Sequence, residues 1–260
     1  MQMVKAFFKW TLRLVILFVA VELLHFTILA YPQPMFSHHI NYGNFSVYSD
    51  KPIQASHLTV LNDVETRIKE TEIYHPDFHA NIFLCNNPTL HDMFVFLSGK
   101  TGPAQGLNLS LVDNSFINIH FIDQINYYHD RRFKHTHLTG ELPHIIAHEL
   151  IHNLITNHFG WLKSRKLPSW KVEGYCEYGS TISKIKRDTF SNLHKRSSML
   201  FEDDLYGTNP HSKFYYKSQL IVENLVENEG YDFEKLFNPN FNEETAYNKL
   251  LNWYKSNVNY

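Results

Sequence analysis

The order of hydrophobic and polar positions divides the chain into an apolar N-terminal segment, a region of strand-like patterns and a long region of helical periodicity. Residues 14–31 are almost uniformly apolar, and a helix needs roughly 20 such residues to cross a bilayer. Residues 1–13 carry Lys5, Lys9 and Arg13 but no acidic residue. This asymmetry predicts a transmembrane signal-anchor that leaves residues 1–13 in the cytoplasm and exports the rest of the chain.

The same apolar segment has a second interpretation, a signal peptide that is cleaved to release a secreted protein. Glu22 and His25 are costly in lipid, but at a spacing of three on a helix they can face each other. The cleavage site that Ala30 offers is weak, because it lacks the usual pair of small residues. We therefore expect an uncleaved anchor, a linker over residues 32–37 and one domain over residues 38–260.

Two patterns in the first part of that domain predict strands, at residues 44–50 and 79–85. An amphipathic stripe between them predicts a helix, and a second, shorter helix is expected to end at Gly99. From Gly106 the apolar positions recur with a period of two on both sides of a turn, which predicts a β-hairpin. Its apolar positions are Leu107, Leu109 and Leu111 in the first strand and Ile117, Ile119 and Phe121 in the second.

The second half of the chain is predicted to be helical, because no strand pattern follows Asp123. Asn242, followed by two acidic residues, is typical of the start of one such helix. The predicted helices lie at residues 141–158, 169–185, 213–229, 232–237 and 242–257. A small N-terminal sheet followed by a helical C-terminal half defines an α+β domain.

Composition excludes some classes of function. The net charge of -2 gives no electrostatic footprint for binding nucleic acid. A chain of 260 residues that is 43% hydrophobic can form one domain with a full core. Cys85 and Cys176, the two cysteines, are too few for a disulfide framework. They form either one bridge or, as we favour, two buried thiols.

The sequence HIIAHELIH places His144, His148 and His152 on a predicted helix at intervals of four residues. Residues eight positions apart rise about 12 Å along a helix, too far for one metal ion bonded at roughly 2 Å. A metal ion can therefore be shared by the first pair of histidines or by the second. Hydrolysis also needs a base beside the activated water, and only the second pair has one, Glu149 directly after His148. His144 is followed by an isoleucine and is left as a neighbour of the ligands or a packed residue.

A second segment, LPSWKVEGYCEYGS at residues 167–180, supplies candidates for a third ligand. A catalytic zinc ion takes three protein ligands and keeps one position open. Glu173 lies one turn into the predicted helix, and Gly174 is expected to let that helix approach the histidine helix closely. Glu177, on the same face, is expected to accept a hydrogen bond from the second nitrogen of a zinc-binding histidine. The alternative is that these histidines and glutamates are ordinary helix residues.

Together the two segments resemble the gluzincin metallopeptidases, which include thermolysin and the aminopeptidase-N-like enzymes. The order of predicted elements over residues 40–257 is similar to the peptidase MA-like branch, whereas the specific motifs cover residues 148–178 only. The resemblance implies a zincin-like fold and hydrolysis of peptide bonds with one zinc ion. The family segment W-x-x-E-G-x-A-x-Y is matched by Trp170, Glu173, Gly174 and Tyr178, with Cys176 at the small position. The implied zinc ligands are His148, His152 and Glu173, with Glu149 as the general base.

The resemblance also concerns the surroundings of the zinc ion. Family members of the aminopeptidase type use a tyrosine to stabilise the oxyanion. Tyr215 matches it by spacing, Tyr216 is the alternative, and aromatic packing is the ordinary explanation of both. These enzymes hold an extended peptide against an edge strand, for which residues 115–122 are the candidate. Ile117 and Ile119 are the expected contacts with the substrate.

The expected function is that of a membrane-anchored zinc metallopeptidase in which Glu149 takes the proton of a zinc-activated water. The chain contains no G-x-M-E-N segment, which anchors a free amine in the family's aminopeptidases, so an endopeptidase is favoured. A non-catalytic zincin-like domain that binds peptides or partners at the membrane is the second hypothesis. A purely structural zinc ion with Cys176 as an extra ligand is the third.

Overall fold

A computed structural model describes residues 2–102, 104–120, 142–185, 193–202 and 210–257. Within them the chain has an α+β fold with one small mixed sheet. The strands are β1 (His38–Tyr42), β2 (Phe45–Ser49), β3 (Ala80–Cys85), β4 (Gly106–Leu109) and β5 (Asn114–Asn118). The helices are α1 (Gln2–Ala30), α2 (Ala55–Lys69), α3 (Pro88–Leu97), α4 (Leu142–Phe159), α5 (Trp161–Ser164), α6 (Ser169–Ile185), α7 (Leu193–Phe201), α8 (Pro210–Glu223), α9 (Phe233–Leu236) and α10 (Glu243–Ser256). A π-helical turn, Asn224–Asn228, continues α8.

Most elements expected from the sequence pattern are present. The strands predicted at residues 44–50 and 79–85 are β2 and β3, and the predicted hairpin is β4 with β5. Each helix predicted in the second half has a counterpart in α4, α6, α8, α9 or α10. The pattern does not predict β1, α5 or α7, because such short segments carry too few apolar positions to show a period.

The strand order in the sheet is β1-β2-β3-β5-β4. β2, β3 and β5 run parallel, whereas β1 and β4 are antiparallel to their neighbours. β5 is therefore an interior strand, so the prediction that residues 115–122 form a substrate-binding edge is wrong for residues 115–118; residues 121 and 122 lie outside the described residues. Ile117 is fully buried and Ile119 is 9% exposed, so both belong to the core and not to a substrate surface. The pattern reveals the hairpin but not which of its strands joins β3, since that pairing is a long-range contact.

The sheet separates two apolar clusters, because successive side chains of a strand point to opposite faces. The larger cluster contains Ile82 and Ile117 and lies on the face covered by α2 and α4. The smaller cluster lies on the face covered by α3. There the rings of Phe83 and Phe116 stack with centroids 4.9 Å apart, and Phe94 stacks on Phe116 at 4.1 Å.

Cys85 and Cys176 are fully buried and do not form a disulfide bond. Cys85 belongs to the smaller cluster, whereas Cys176 on α6 belongs to the larger one. Of the two interpretations of the cysteines, the buried thiols are therefore confirmed.

The N-terminal helix α1 is longer than predicted, because it extends from Gln2 to Ala30. Its 24 residues from Phe7 to Ala30 are long and apolar enough to cross a membrane. A ring nitrogen of His25 lies 3.8 Å from a carboxylate oxygen of Glu22, as their spacing suggests.

The connection between α1 and the sheet is packed. Gln33–Met35 form a turn of 3-10 helix, and Phe36 is buried in the smaller cluster with its ring centroid 5.0 Å from that of Phe83. The segment predicted as a linker, residues 32–37, thus joins α1 to the domain through a contact with the core.

Two glycines mark the closest approaches of α6 to its neighbours. A Cβ on Gly174 would lie 2.5 Å from the backbone oxygen of Ser218 on α8. A Cβ on Gly179 would lie 2.8 Å from Cδ1 of Ile151 on α4. The prediction that Gly174 lets α6 approach the histidine helix is therefore wrong, and Gly179 has that role. Adjacent residues on a helix differ by about 100° in direction, so Gly174 faces a different helix from Glu173.

Candidate metal centre

An apolar stripe fixes the rotation of α4 and so the direction of its histidines. The stripe, which is buried in the larger cluster, consists of Ala147, Leu150, Ile151 and Leu154. His148 lies beside it and is 8% exposed, and His152 follows one turn later. Burial of the stripe therefore directs both imidazoles toward α6.

Glu173 of α6 meets the two histidines of α4. Nε2 of His148 lies 3.2 Å from Nε2 of His152 and 3.3 Å from Oε2 of Glu173. Nε2 of His152 lies 3.4 Å from the same carboxylate oxygen. A tetrahedral zinc ion with bonds of about 2.0–2.1 Å places its ligand atoms about 3.3–3.4 Å apart. The three atoms therefore have the mutual distances that one zinc ion requires.

The three atoms are also of the kind that binds metal ions, because each can offer a lone pair of electrons toward the space between them. Nδ1 of His148 lies 3.1 Å from Oε1 of Glu177, whose carboxylate favours the tautomer with the proton on Nδ1. A lone pair is then left on Nε2 of His148. Oε2 of Glu173 is buried and has no hydrogen-bond partner within the described part of the chain. A metal cation, or a proton carried by one of the imidazoles, satisfies such a convergence of acceptors.

The charges at this site depend on one another. Burial raises the pKa of Glu173, but the imidazoles of His152 and His148 outweigh burial and hold that pKa well below its ordinary value. Burial lowers the pKa of His148, but contacts with Glu173 and Glu177 outweigh burial and raise that pKa well above its ordinary value. Protons on the imidazoles thus compete with a metal ion for the same electron pairs.

Glu177 connects His148 to a second histidine. Oε2 of Glu177 lies 3.1 Å from Nε2 of His144, and Nδ1 of His144 lies 2.9 Å from Oγ of Ser180. Burial raises the pKa of Glu177, but His144 and His148 outweigh burial and keep that pKa well below its ordinary value. The structure thus brings Glu177 and His144 beside the predicted ligands, with one carboxylate oxygen of Glu177 close to a ring nitrogen of His148 and the other close to a ring nitrogen of His144.

The predicted base, Glu149, is 9% exposed and lies against the start of β4. A Cβ on Gly106 would be 2.4 Å from Oε1 of Glu149 and 2.7 Å from its Cγ. The carboxylate can occupy this position only because residue 106 is glycine. Glu149 directly follows His148 on α4, and its charge contributes to raising the pKa of both His148 and Tyr215. Sequence reasoning missed Gly106, whose only signal was its place at the start of the period-two pattern.

The side chain of Asn108 joins β4 to α4 by hydrogen bonds next to Glu149. Its Nδ2 lies 2.7 Å from Oδ1 of Asn153, 2.9 Å from the backbone oxygen of Glu149 and 3.1 Å from Oγ of Ser115. Asn153 and Ser115 are fully buried, so their polar atoms depend on this contact. The feature of the sequence that could have indicated this contact is Asn153, a polar residue directly after His152 among the apolar positions of the helix.

Of the two candidate tyrosines, Tyr215 lies at the site. The centroid of its ring is 6.0 Å from that of His148. Burial raises the pKa of Tyr215, and the charge of Glu173 raises it further. The hydroxyl of Tyr216 instead donates a hydrogen bond at 2.9 Å to the backbone oxygen of Arg196 on α7. The structure therefore brings Tyr215, and not Tyr216, to the candidate ligands.

Cys176 is a competing metal ligand. Its Sγ lies within 4.8 Å of a ring nitrogen of both His148 and His152. Burial raises the pKa of this thiol well above its ordinary value, and the charge of Glu173 adds to the effect. A thiol must lose its proton to bind zinc, whereas Glu173, whose pKa lies well below its ordinary value, is a carboxylate already, so both residues remain candidates for the third ligand and Glu173 has no proton to lose.

The chain matches no protein-family model, and no curated protein matches its sequence. The candidate metal centre therefore rests on the contacts among α4, α6, α8 and β4 and not on a relative of known function.

Proposed function

We propose that the protein is a zinc metallopeptidase of the gluzincin type, with a zincin-like catalytic domain held by α1 on the extracytoplasmic side of a membrane. The observation that carries the proposal is the triangle formed by Nε2 of His148, Nε2 of His152 and Oε2 of Glu173, whose edges measure 3.2–3.4 Å. Glu149 beside this triangle supports hydrolysis over a structural metal.

Each group at the site has a role in that reaction. His148, His152 and Glu173 would hold the zinc ion, which when bound supplies a Lewis acid for a water molecule and for the substrate carbonyl. Glu149 takes the proton of the water and delivers it to the leaving amine. Tyr215 donates a hydrogen bond to the developing oxyanion, since burial and the neighbouring carboxylates keep its hydroxyl protonated.

The outer edge of β4 replaces residues 115–122 as the candidate substrate-binding strand. Among the strands that the structure describes, none pairs with the side of β4 opposite β5. Backbone groups on such an edge can bind an extended peptide. Gly106 at the start of β4 touches Glu149, so a peptide on this edge passes the base. The lack of a G-x-M-E-N segment favours cleavage within a chain over removal of single N-terminal residues.

A Glu149→Gln variant tests the proposal. The full chain, purified in detergent and loaded with zinc, is incubated with unfolded proteins, and new peptide termini are identified by mass spectrometry. We expect the wild type to generate termini that Glu149→Gln does not, while both retain zinc, because Glu149 is not a ligand. Glu70→Gln, an exposed change after the last turn of α2, is the matched control and should behave as the wild type.

Two outcomes would contradict the proposal. Retained cleavage by Glu149→Gln would remove Glu149 from the role of base. A wild type that binds zinc but cleaves none of the unfolded proteins would instead support a non-catalytic zincin-like domain that binds peptides or partners at the membrane.

A further inference from the structure

The sheet holds α1 at its C-terminal end, where a helix leaves backbone oxygens without helical partners. Nδ2 of Asn114 donates hydrogen bonds to the backbone oxygens of Leu29 at 2.8 Å and Ala30 at 3.3 Å. Asn114 is fully buried on β5, and its Oδ1 accepts a hydrogen bond at 3.0 Å from Nδ2 of Asn81 on β3. α1 is thus capped by a side chain whose orientation is fixed by the sheet.

A second contact joins α1 to the last turn of α3. A ring nitrogen of His25 lies 2.5 Å from the backbone oxygen of Leu97. Ile28 and Leu29, about one turn further along α1, pack against the smaller apolar cluster that α3 covers. The two contacts, at His25 and at Asn114, prevent α1 from swinging freely relative to the domain.

The contact at His25 lies inside the apolar part of α1. His25 is five residues before Ala30, the end of the apolar stretch, which corresponds to about 7–8 Å along the helix axis. Tyr31, the next residue, is 68% exposed, and a tyrosine at this place is typical of the boundary between acyl chains and head groups. A bilayer that α1 crosses therefore extends as far as Leu97.

Phe96 lies next to Leu97, and so at the same depth in that bilayer, and its side chain is 79% exposed. Such exposure of a phenylalanine is unfavourable in water and favourable in lipid. Asp92, one turn earlier on the same face of α3, is exposed, so only the last turn of that face is apolar. Lys100, exposed just after the helix ends, supplies a cation of the kind that phosphate head groups attract.

We propose that the last turn of α3 enters the bilayer beside α1 and that Phe96 contacts the lipid acyl chains. The membrane then holds the domain at two places, the span of α1 and the tip of α3, and so in one orientation. This inference requires that α1 spans a membrane but does not depend on the peptidase activity.

Spin labels on introduced cysteines test this placement in the full chain, reconstituted into vesicles of phosphatidylcholine with a minority of phosphatidylglycerol. Phe96→Cys reports on the tip of α3. Leu162→Cys, at an apolar position on α5 that is 72% exposed, is the matched control. Ile16→Cys, at a position in the middle of α1 that is 60% exposed, is the reference for lipid. The native Cys85 and Cys176 are fully buried, so the label reacts at the introduced sites.

The measurement is the accessibility of each label to oxygen and to a water-soluble nickel chelate. We expect the labels at positions 96 and 16 to be open to oxygen and protected from nickel, and the label at position 162 to be open to nickel. A label at position 96 as open to nickel as that at position 162, with position 16 protected, would overturn the proposal. If position 16 is itself open to nickel, α1 does not span the bilayer and the proposal fails with it.

Discussion

Replacing Gly106 by alanine tests whether Glu149 acts from the position that the structure gives it. The added Cβ would lie 2.4 Å from Oε1, 2.7 Å from Cγ and 2.8 Å from Cδ of Glu149. Contacts of a real Cβ essentially never fall below 3.0 Å, and ordinary contacts begin at 3.4 Å. The carboxylate must therefore move by roughly 0.6–1 Å to relieve the overlap.

A displacement of this size has a calculable effect on the rate. Misplacing a catalytic group by about 1 Å costs roughly 100-fold, which corresponds to about 2.7 kcal/mol in the activation free energy. We therefore expect Gly106→Ala to lower kcat roughly 100-fold. Zinc content should be that of the wild type, because the substitution displaces the base and leaves the ligands in place.

The assay compares kcat on an unfolded reporter protein with zinc content measured on the same samples. Leu109→Ala is the control, because Leu109 lies on the same strand but packs against the smaller cluster on the opposite face of the sheet. It loosens β4 without touching Glu149 and should retain most of the activity. Wild-type kcat in Gly106→Ala would refute the reasoning, and so would a loss of activity that follows a loss of zinc.

Three further changes have defined outcomes. Glu177→Ala should weaken zinc binding about 10- to 100-fold in a competition titration with a chelator, because Nδ1 of His148 loses its carboxylate; unchanged affinity would contradict this role. Tyr215→Phe should lower kcat roughly 100-fold with little change in KM, whereas Tyr216→Phe, whose hydroxyl bonds to a backbone oxygen of α7, should retain kcat. Burial lowers the pKa of Lys171 from 10.5 to about 8. Between about pH 8 and pH 10.5, Lys171 therefore keeps its proton in the unfolded chain but has lost it in the folded chain. The free energy of unfolding of the wild type, relative to that of Lys171→Met, should for that reason rise with pH over this range. Denaturant titrations that show the same difference at both ends of the range would contradict this.

The candidate ligands on α4 could be predicted from the sequence because their relation is local. Residues four positions apart on a helix are neighbours whatever the rest of the fold does, so His148 and His152 meet wherever α4 packs. The apolar stripe beside them determines which side of α4 faces the core. Glu173 could be proposed as a third ligand from its place one turn into the next helix and from its resemblance to a known motif, but its approach to the histidines depends on how α6 crosses α4.

The contacts between elements could not be predicted, because no period in the sequence reports which element lies opposite. Gly174 and Gly179 both permit a close approach, and only the packing shows that the first faces α8 and the second α4. Likewise, β4 and β5 show the same alternation of apolar positions. The pairing of β5 with β3 makes β4 the edge, and Gly106 becomes the neighbour of Glu149 for that reason.

The choice between the two tyrosines was open for a related reason. Adjacent residues on a helix point about 100° apart, so Tyr215 and Tyr216 cannot both face α4. Tyr216 faces α7, a short helix that the pattern of the sequence does not predict, and Tyr215 is thereby directed to His148. A local motif could narrow the candidates to this pair, but only the position of α7 decides between them.

X-ray absorption at the zinc edge of the zinc-loaded full chain tests most directly whether His148, His152 and Glu173 hold the metal. We predict one shell of nitrogen and oxygen atoms at about 2.0–2.1 Å, with the outer scattering of two imidazoles. A sulfur atom at about 2.3 Å would identify Cys176 as a ligand and would contradict the proposed centre of two histidines and one glutamate.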